Sequence, residues 1–161
     1  MISLFAEIQV LYEANKYDDI EAVFKEHESS LEKEVYPDGT EAKSPSDYLW
    51  SLYLLAQHYS QRYETLVQAH QYICKAIKHT CTIPEFYLIK AEIEYKQHNN
   101  MESLKTVNEA RKTDLADRYM NNICVKYLMK CEKQDIGETM LRNFMRDDAS
   151  LYDLQNHWYI I

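Results

Sequence analysis

A chain of 161 residues, 46% of them hydrophobic, is long enough to bury a core, and its formal charge of −8 argues against bulk binding to nucleic acid. Two glycines and three prolines are too few for the many turns of a sheet protein or for a glycine-rich phosphate loop. An all-α fold is the economical reading. The charge is unevenly placed: residues 1–47 carry four lysines against twelve acidic residues, whereas residues 86–133 carry nine Lys and Arg against seven acidic residues. A modestly basic zone therefore follows an acidic front end.

In chain order, Leu4, Phe5, Ile8, Leu11 and Tyr12 fall at helical spacing within Ile2 to Ala14. With Asp18 as its N-cap, a second helix carries Ile20, Val23, Phe24, His27 and Leu31, so residues 1–35 are expected to form an antiparallel helix pair. YPDGTEAKSPSD holds two of the three prolines and one of the two glycines, which predicts a loop over residues 36–47. The stretch YLWSLYLLAQHY, Tyr48 to Tyr59, is apolar almost all round, yet Ser51 interrupts it and Gln57 and His58 close it. It falls short of the roughly 20 apolar residues that a membrane span needs. Further helices are predicted over Leu49–Ser60, Thr65–Lys78, Pro84–Gln97, Met101–Lys112, Arg118–Lys130 and Ile136–Met145, with Pro84 suited to a first helical turn.

A period organises these helices. Ala76 and Ala110 stand 34 positions apart, and Ala56 and Ala91 stand 35 apart, which matches the tetratricopeptide repeat of about 34 residues. Leu52, Leu55, Ala56 and Tyr59 fit helix A of that motif, and Ala69, Ile73 and Ala76 fit helix B with one extra residue in the turn. In the next repeat Ser103 replaces the first helix-B alanine, and the usual turn glycine is absent from both. Residues 48–161 thus read as about three degenerate repeats, the last helix beginning a further, truncated one. The fold class expected is all-α, a tetratricopeptide-like helical-hairpin solenoid (α-α superhelix). A helix within such a stack is covered on most sides, which explains the apolar circumference of Tyr48–Tyr59 without a ligand pocket. Trp50, Tyr53 and Leu54 are expected to fill the space beside the small alanines.

Catalytic material is scarce. No GxSxG, HExxH, CxxC or glycine-rich loop occurs. Cys74, Cys81, Cys124 and Cys131 are read as thiols of a reducing compartment, because His58, His70, Cys74, His79 and Cys81 do not share one helical face. Asp114 and Asp117 suit a helix start, where carboxylates meet the dipole, better than acid–base work. Signal, lipidation and N-glycosylation motifs are absent, so the chain reads as cytoplasmic.

Residues Leu49 to Phe144 resemble the tetratricopeptide region of the auxiliary (large) subunit of the N-terminal acetyltransferase A complex. The stretches that carry the resemblance are LAQHY (Leu55–Tyr59), YICKAI (Tyr72–Ile77), LIKAEI (Leu88–Ile93), NEARKTDLADRY (Asn108–Tyr119), KYLMK (Lys126–Lys130) and LYDLQNHWY (Leu151–Tyr159). The resemblance implies a non-catalytic scaffold that wraps and positions an acetyl-CoA-dependent catalytic subunit and tethers it to the ribosome. It also implies a central fragment of such a subunit, since HWYII ends inside an apolar helix. The family is associated with inositol hexakisphosphate bridging the two subunits, which makes Lys90, Arg118, Tyr119, Lys126 and Lys130 the candidate polyanion contacts. No catalytic, cofactor-holding or metal-binding residue is implied. The alternative is a stand-alone tetratricopeptide adaptor gripping a peptide; against it, the helix-A faces carry Tyr53, Gln57, Tyr87, Glu94 and Tyr119, which suit a broad protein contact.

Overall fold

The computed structural model describes residue 8 and residues 10–33 and 45–144. The chain divides into two compact units, residues 1–80 and 81–161.

In the first unit, residues 10–13 are helical, and they are followed by α1 (Tyr17–Leu31), α2 (Pro45–Tyr59), a 3-10 turn (Tyr63–Thr65) and α3 (Leu66–His79). α1 packs on α2, and α2 on α3. Two boundaries differ from the sequence reading. α1 starts at Tyr17 after Lys16, so Asp18 lies inside the first turn with Asp19 rather than capping it; both carboxylates still oppose the positive end of the helix dipole. α2 starts at Pro45, so the last three residues of the expected 36–47 loop are helical. A proline has no N–H to lose at a first helical position, and Asp47 suits the first turn.

The second unit holds α4 (Pro84–Lys96), α5 (Asn100–Thr113), α6 (Arg118–Lys130) and α7 (Gln134–Arg142). Each packs on the next. The sequence placed α4 and α6 almost residue for residue, whereas α7 stops at Arg142 instead of Met145. Residues 145–161, including the LYDLQNHWY stretch, lie outside the described residues, as do residues 1–7 and 34–44.

The alanines sit where the 34–35-residue spacing requires. Ala56, Ala69, Ala76 and Ala91 expose nothing, Ala110 only 1%, and Leu52, Leu55 and Ile73 are fully covered around them. Ser103, the residue standing for an alanine, is also fully buried and donates its hydroxyl to Asn100 O at 2.8 Å. Ala91, Leu104, Val107, Cys124, Tyr127 and Leu128 form the core of the second unit. All helices described are α or 3-10, and the helical-hairpin class read from the sequence is the one observed.

The missing turn glycines have a structural answer. After α4, Asn99 N donates to Glu94 O and His98 N to Tyr95 O; after α6, Lys133 N donates to Leu128 O and Glu132 N to Met129 O. These are paired closing bonds that satisfy the last helical carbonyls and need a left-handed residue, usually glycine. Here His98 (φ 62°) and Glu132 (φ 57°) occupy it, 34 positions apart, and Asn15 (φ 57°) does the same before α1. Between α2 and α3 the extra residue is absorbed by the 3-10 turn, whose Thr65 hydroxyl donates to Tyr59 O at 2.6 Å.

Candidate functional site

In the second unit the helix-A members α4 and α6 border a groove of about 460 Å³. α4 contributes Leu88, Glu92, Tyr95 and Lys96, and α6 contributes Tyr119, Ile123, Lys126, Tyr127 and Lys130. Spacings of three and four residues place each set on one helical face. The floor is apolar: Tyr95 meets Tyr127 edge-to-face at 6.1 Å, and Ile123 is half-buried against the core.

The rim is cationic. Lys130 Nζ lies 3.9 Å from the Tyr95 ring centroid and 4.9 Å from that of Tyr127, so the aromatic faces hold the ammonium. Burial against those rings, followed by the neighbouring Lys126 charge, pushes the Lys130 ammonium below its ordinary pKa. Lys96 is paired with Glu92 at 2.8 Å. Among the described residues, neither Lys126 nor Lys130 has a carboxylate within ion-pair distance. Burial, followed by the charges of Glu92, Tyr95 and Glu94, pushes the Tyr127 hydroxyl up to about 12, so the floor stays neutral.

The five candidate polyanion contacts are not one cluster. Tyr119, Lys126 and Lys130 line the groove; Lys90 and Arg118 do not. Lys90 faces Glu94 at 3.6 Å, and Glu94 is itself 7% exposed and accepts the Thr106 hydroxyl at 2.7 Å. Arg118 is exposed at the first position of α6, beside the Asp117 cap. Of the residues expected to form a broad helix-A contact face, Tyr53 and Glu94 are buried, Gln57 and Tyr87 are half-buried, and Tyr119 is 59% exposed. Tyr53 is covered in part by Trp50, whose ring meets it edge-on at 5.5 Å. Sequence reasoning passed over Tyr95 and Tyr127. For Tyr127 a signal was available in the stripe Tyr119, Ile123, Tyr127, Lys130, which repeats every three or four residues along α6; nothing in α6 points to Tyr95 on α4.

Asp117 is the cap the sequence implied: its carboxylate accepts from Tyr119 N at 2.8 Å and from Met120 N at 3.2 Å, while Asp114 accepts from Ala116 N at 2.9 Å. Both acids are occupied with backbone. None of the four cysteines is in a disulfide, and among the described residues no three His, Cys, Asp or Glu side chains gather as a metal site. No described helix is long and apolar enough to cross a membrane.

In the first unit, His58 has no exposed surface and is enclosed by Tyr12, Tyr17, Phe24 and Tyr59. Its Nδ1 lies 2.8 Å from the Tyr12 hydroxyl and its Nε2 lies 3.8 Å from Glu21 Oε2. Glu21 also accepts from the Tyr59 hydroxyl at 2.8 Å and from Lys25 at 2.6 Å. The histidine that closes the apolar stretch is thus a packing centre.

Helical hairpins whose buried alanines recur every 34–35 residues define a tetratricopeptide-like repeat fold. The particular family follows from comparison with known proteins: the family model described as N-terminal acetyltransferase A, auxiliary subunit, matches residues 1–161, and the chain belongs to that family. It is similar to the N-terminal acetyltransferase A complex auxiliary subunit NAA15 of Arabidopsis thaliana, with 33% identity over 165 residues, covering 98% of this chain and 18% of that protein. It is also similar to N-alpha-acetyltransferase 16, NatA auxiliary subunit, of Homo sapiens, with 32% identity over 166 residues, covering 97% of this chain and 19% of that protein. The solved structure of Naa15/Naa10 bound to HypK-THB matches with a TM-score of 0.81 and 25% identity over 99% of this chain and 24% of that one. The chain therefore spans about a fifth of the length of the curated relatives it matches.

Proposed function

We propose that this chain is a non-catalytic scaffold segment that binds the catalytic subunit of a protein N-terminal acetyltransferase and helps position it. The observation that carries this reading is the likeness, over 99% of the chain, to Naa15 in a structure that also contains Naa10. The folded surface supports it: the acids that could be read as a catalytic pair, Asp114 and Asp117, hold backbone amides, and the open groove presents Tyr119, 59% exposed, a residue type enriched at protein interfaces. Affinity capture of the tagged chain co-expressed with the catalytic subunit tests the reading. Co-elution of the two is expected, with no acetyl transfer by the tagged chain alone; a catalytic subunit left in the flow-through would overturn it.

Two further parts of the proposal rest on the family relationship. The segment acts in the cytoplasm, and the whole protein of which its relatives are examples anchors the enzyme at the ribosome; sedimentation of the assembled complex with ribosomes checks this. Inositol hexakisphosphate at the interface is a separable part. Its support is limited to exposed Arg118, Lys126 and Lys130, because Lys90 already faces Glu94. Calorimetric titration into the assembled complex, comparing Arg118→Ala with Lys112→Ala, decides it: no heat removes the polyphosphate, and equal affinity for the two removes Arg118 from its contacts.

A further inference from the structure

We infer that the groove between α4 and α6 is a docking site for an acidic peptide segment in which carboxylates flank an aliphatic or aromatic side chain. The choice of a protein as the source of that segment rests on the scaffold reading above; the chemistry of the site does not.

Two properties of the groove select this occupant. The first is charge. Lys126 and Lys130 are four residues apart on α6, so their ammonium groups share one face and repel each other. The one acid that lines the groove, Glu92, is paired with Lys96. The two lysines thus form a positive rim whose one neighbouring acid, Glu92, is already paired with Lys96 and reaches Lys130 only through space, and each lysine can give a charge-assisted hydrogen bond to a carboxylate of its own. The second is the floor. Tyr95, Tyr127, Ile123 and Leu88 offer apolar surface directly beneath that rim, and Tyr119 extends it with 59% of its surface exposed. A polyphosphate, hydrated on every side, would meet the lysines and leave the floor uncovered. A peptide with a leucine or phenylalanine beside its acids covers both. The edge-to-face Tyr95–Tyr127 pair fixes the floor before anything binds, and the rings already hold the Lys130 ammonium, so little side-chain freedom is lost on docking.

The recognition is of an internal segment, not of a chain terminus. A terminal carboxylate is gripped by several donors converging on one point, whereas Lys126 and Lys130 are spread along a helix face.

The test is selection from a displayed library of random peptides against this chain, followed by fluorescence anisotropy of the enriched sequence. Enrichment of Glu or Asp around Leu, Phe or Tyr is expected. Affinity should fall at least tenfold for the exposed double variant Lys126→Glu/Lys130→Glu, at least tenfold when the apolar residues of the peptide become serine, and with added salt; Lys112→Glu should leave it unchanged. Circular dichroism of each variant separates lost binding from lost folding. No enrichment, enrichment insensitive to the lysine double variant, or a serine-substituted peptide that binds equally well would each overturn the inference. The last outcome, with inositol hexakisphosphate displacing the peptide, would assign the lysines to a polyphosphate. Capture of the catalytic subunit by the unaltered chain reads the scaffold proposal separately: no capture while peptide binding stands sinks only that proposal.

Discussion

Tyr12 Oη stands 2.8 Å from Nδ1 of His58, an atom of a side chain with no exposed surface. Nε2 faces the Glu21 carboxylate at 3.8 Å, which favours a proton on Nε2 and leaves Nδ1 to accept the Tyr12 hydroxyl proton. The imidazole is therefore built in as a neutral acceptor, and burial holds its pKa down at about 4 in spite of the raising influence of Glu21.

That arrangement makes stability depend on pH in a defined window. Below about 6.5, the ordinary histidine value, the unfolded chain takes up a proton that the folded chain refuses. Stability attributable to His58 is complete above that pH and is lost as the pH falls towards about 4. The full loss is on the order of 3 kcal/mol. Glu21, whose pKa is lowered chiefly by its bond with Lys25, loses its own contribution only as the pH falls below the ordinary carboxylate range, so the interval between 6.5 and 4.5 isolates the histidine. Urea unfolding at pH 7 and pH 5 should show a lower midpoint at pH 5, with a smaller difference in His58→Gln. An equal difference in the variant would mean that the ring is not held neutral.

The alanine register predicts intolerance of bulk. Ala76 and Ala110 have essentially no exposed surface, so Ala76→Trp and Ala110→Trp must displace packed helices, costing about 1–3 kcal/mol or more. Lys78→Trp and Lys112→Trp, exposed positions on the same two helices, should be near neutral. Thermal melts that fail to separate the two classes would refute the repeat register.

How far the sequence could be read follows from the physics of each feature. Periodicity reports which side of a helix is covered, so Ala56, Ala76, Ala91 and Ala110 placed the hairpins, and Asp117 announced the start of α6 through its own capping chemistry. Proximity across helices carries no such local signature. Nothing near Glu94 in the chain says that Thr106 will donate to it, and nothing in YLWSLYLLAQHY says that His58 will meet Tyr12. The i,i+4 spacing of Lys90 and Glu94 was legible, but the burial of Glu94 under Thr106 of the next helix was not, and the groove floor was missed because Tyr95 and Tyr127 come from different helices.

The left-handed positions offer a gain rather than a loss. His98 and Glu132 hold φ near 60°, a conformation that crowds any Cβ. Glycine removes the crowding at some cost in unfolded-chain entropy, and both residues end their helices instead of sitting within them. His98→Gly and Glu132→Gly are each expected to raise stability by up to about 1 kcal/mol, whereas a β-branched His98→Val should lower it. Unchanged melting for all three would mean that the helix ends are frayed in solution.

Capping gives a smaller, directional effect. Asp117 satisfies Tyr119 N and Met120 N, which have no intrahelical acceptor. Asp117→Ala should cost about 0.5–2 kcal/mol, and Asp117→Asn, which keeps an acceptor oxygen, distinctly less. The comparison is made by denaturant midpoint at neutral pH. Equal losses for the two would place the effect in charge, not in the hydrogen bonds.

Lys90 and Glu94 decide whether a cation of the basic zone serves the fold or a ligand. Glu94 is buried, accepts from Thr106 at 2.7 Å, and has Lys90 Nζ at 3.6 Å from its other oxygen. Removing one member of such a pair leaves the other charge in a poorly solvated place, and that penalty, more than the lost attraction, sets the cost. Lys90 is partly open to water, so the penalty is below that of a fully enclosed pair, about 1–2 kcal/mol for Lys90→Met. The variant Glu94→Gln keeps an acceptor for Thr106 and creates no buried charge, so it should cost less than Lys90→Met. The double variant Lys90→Met/Glu94→Gln should be less destabilised than the sum of the two single changes, because the second substitution removes the charge that the first one stranded. Polyphosphate titration should be indifferent to Lys90→Met once unfolding is accounted for. Strict additivity in the cycle, together with a loss of polyphosphate affinity, would return Lys90 to the ligand-facing set.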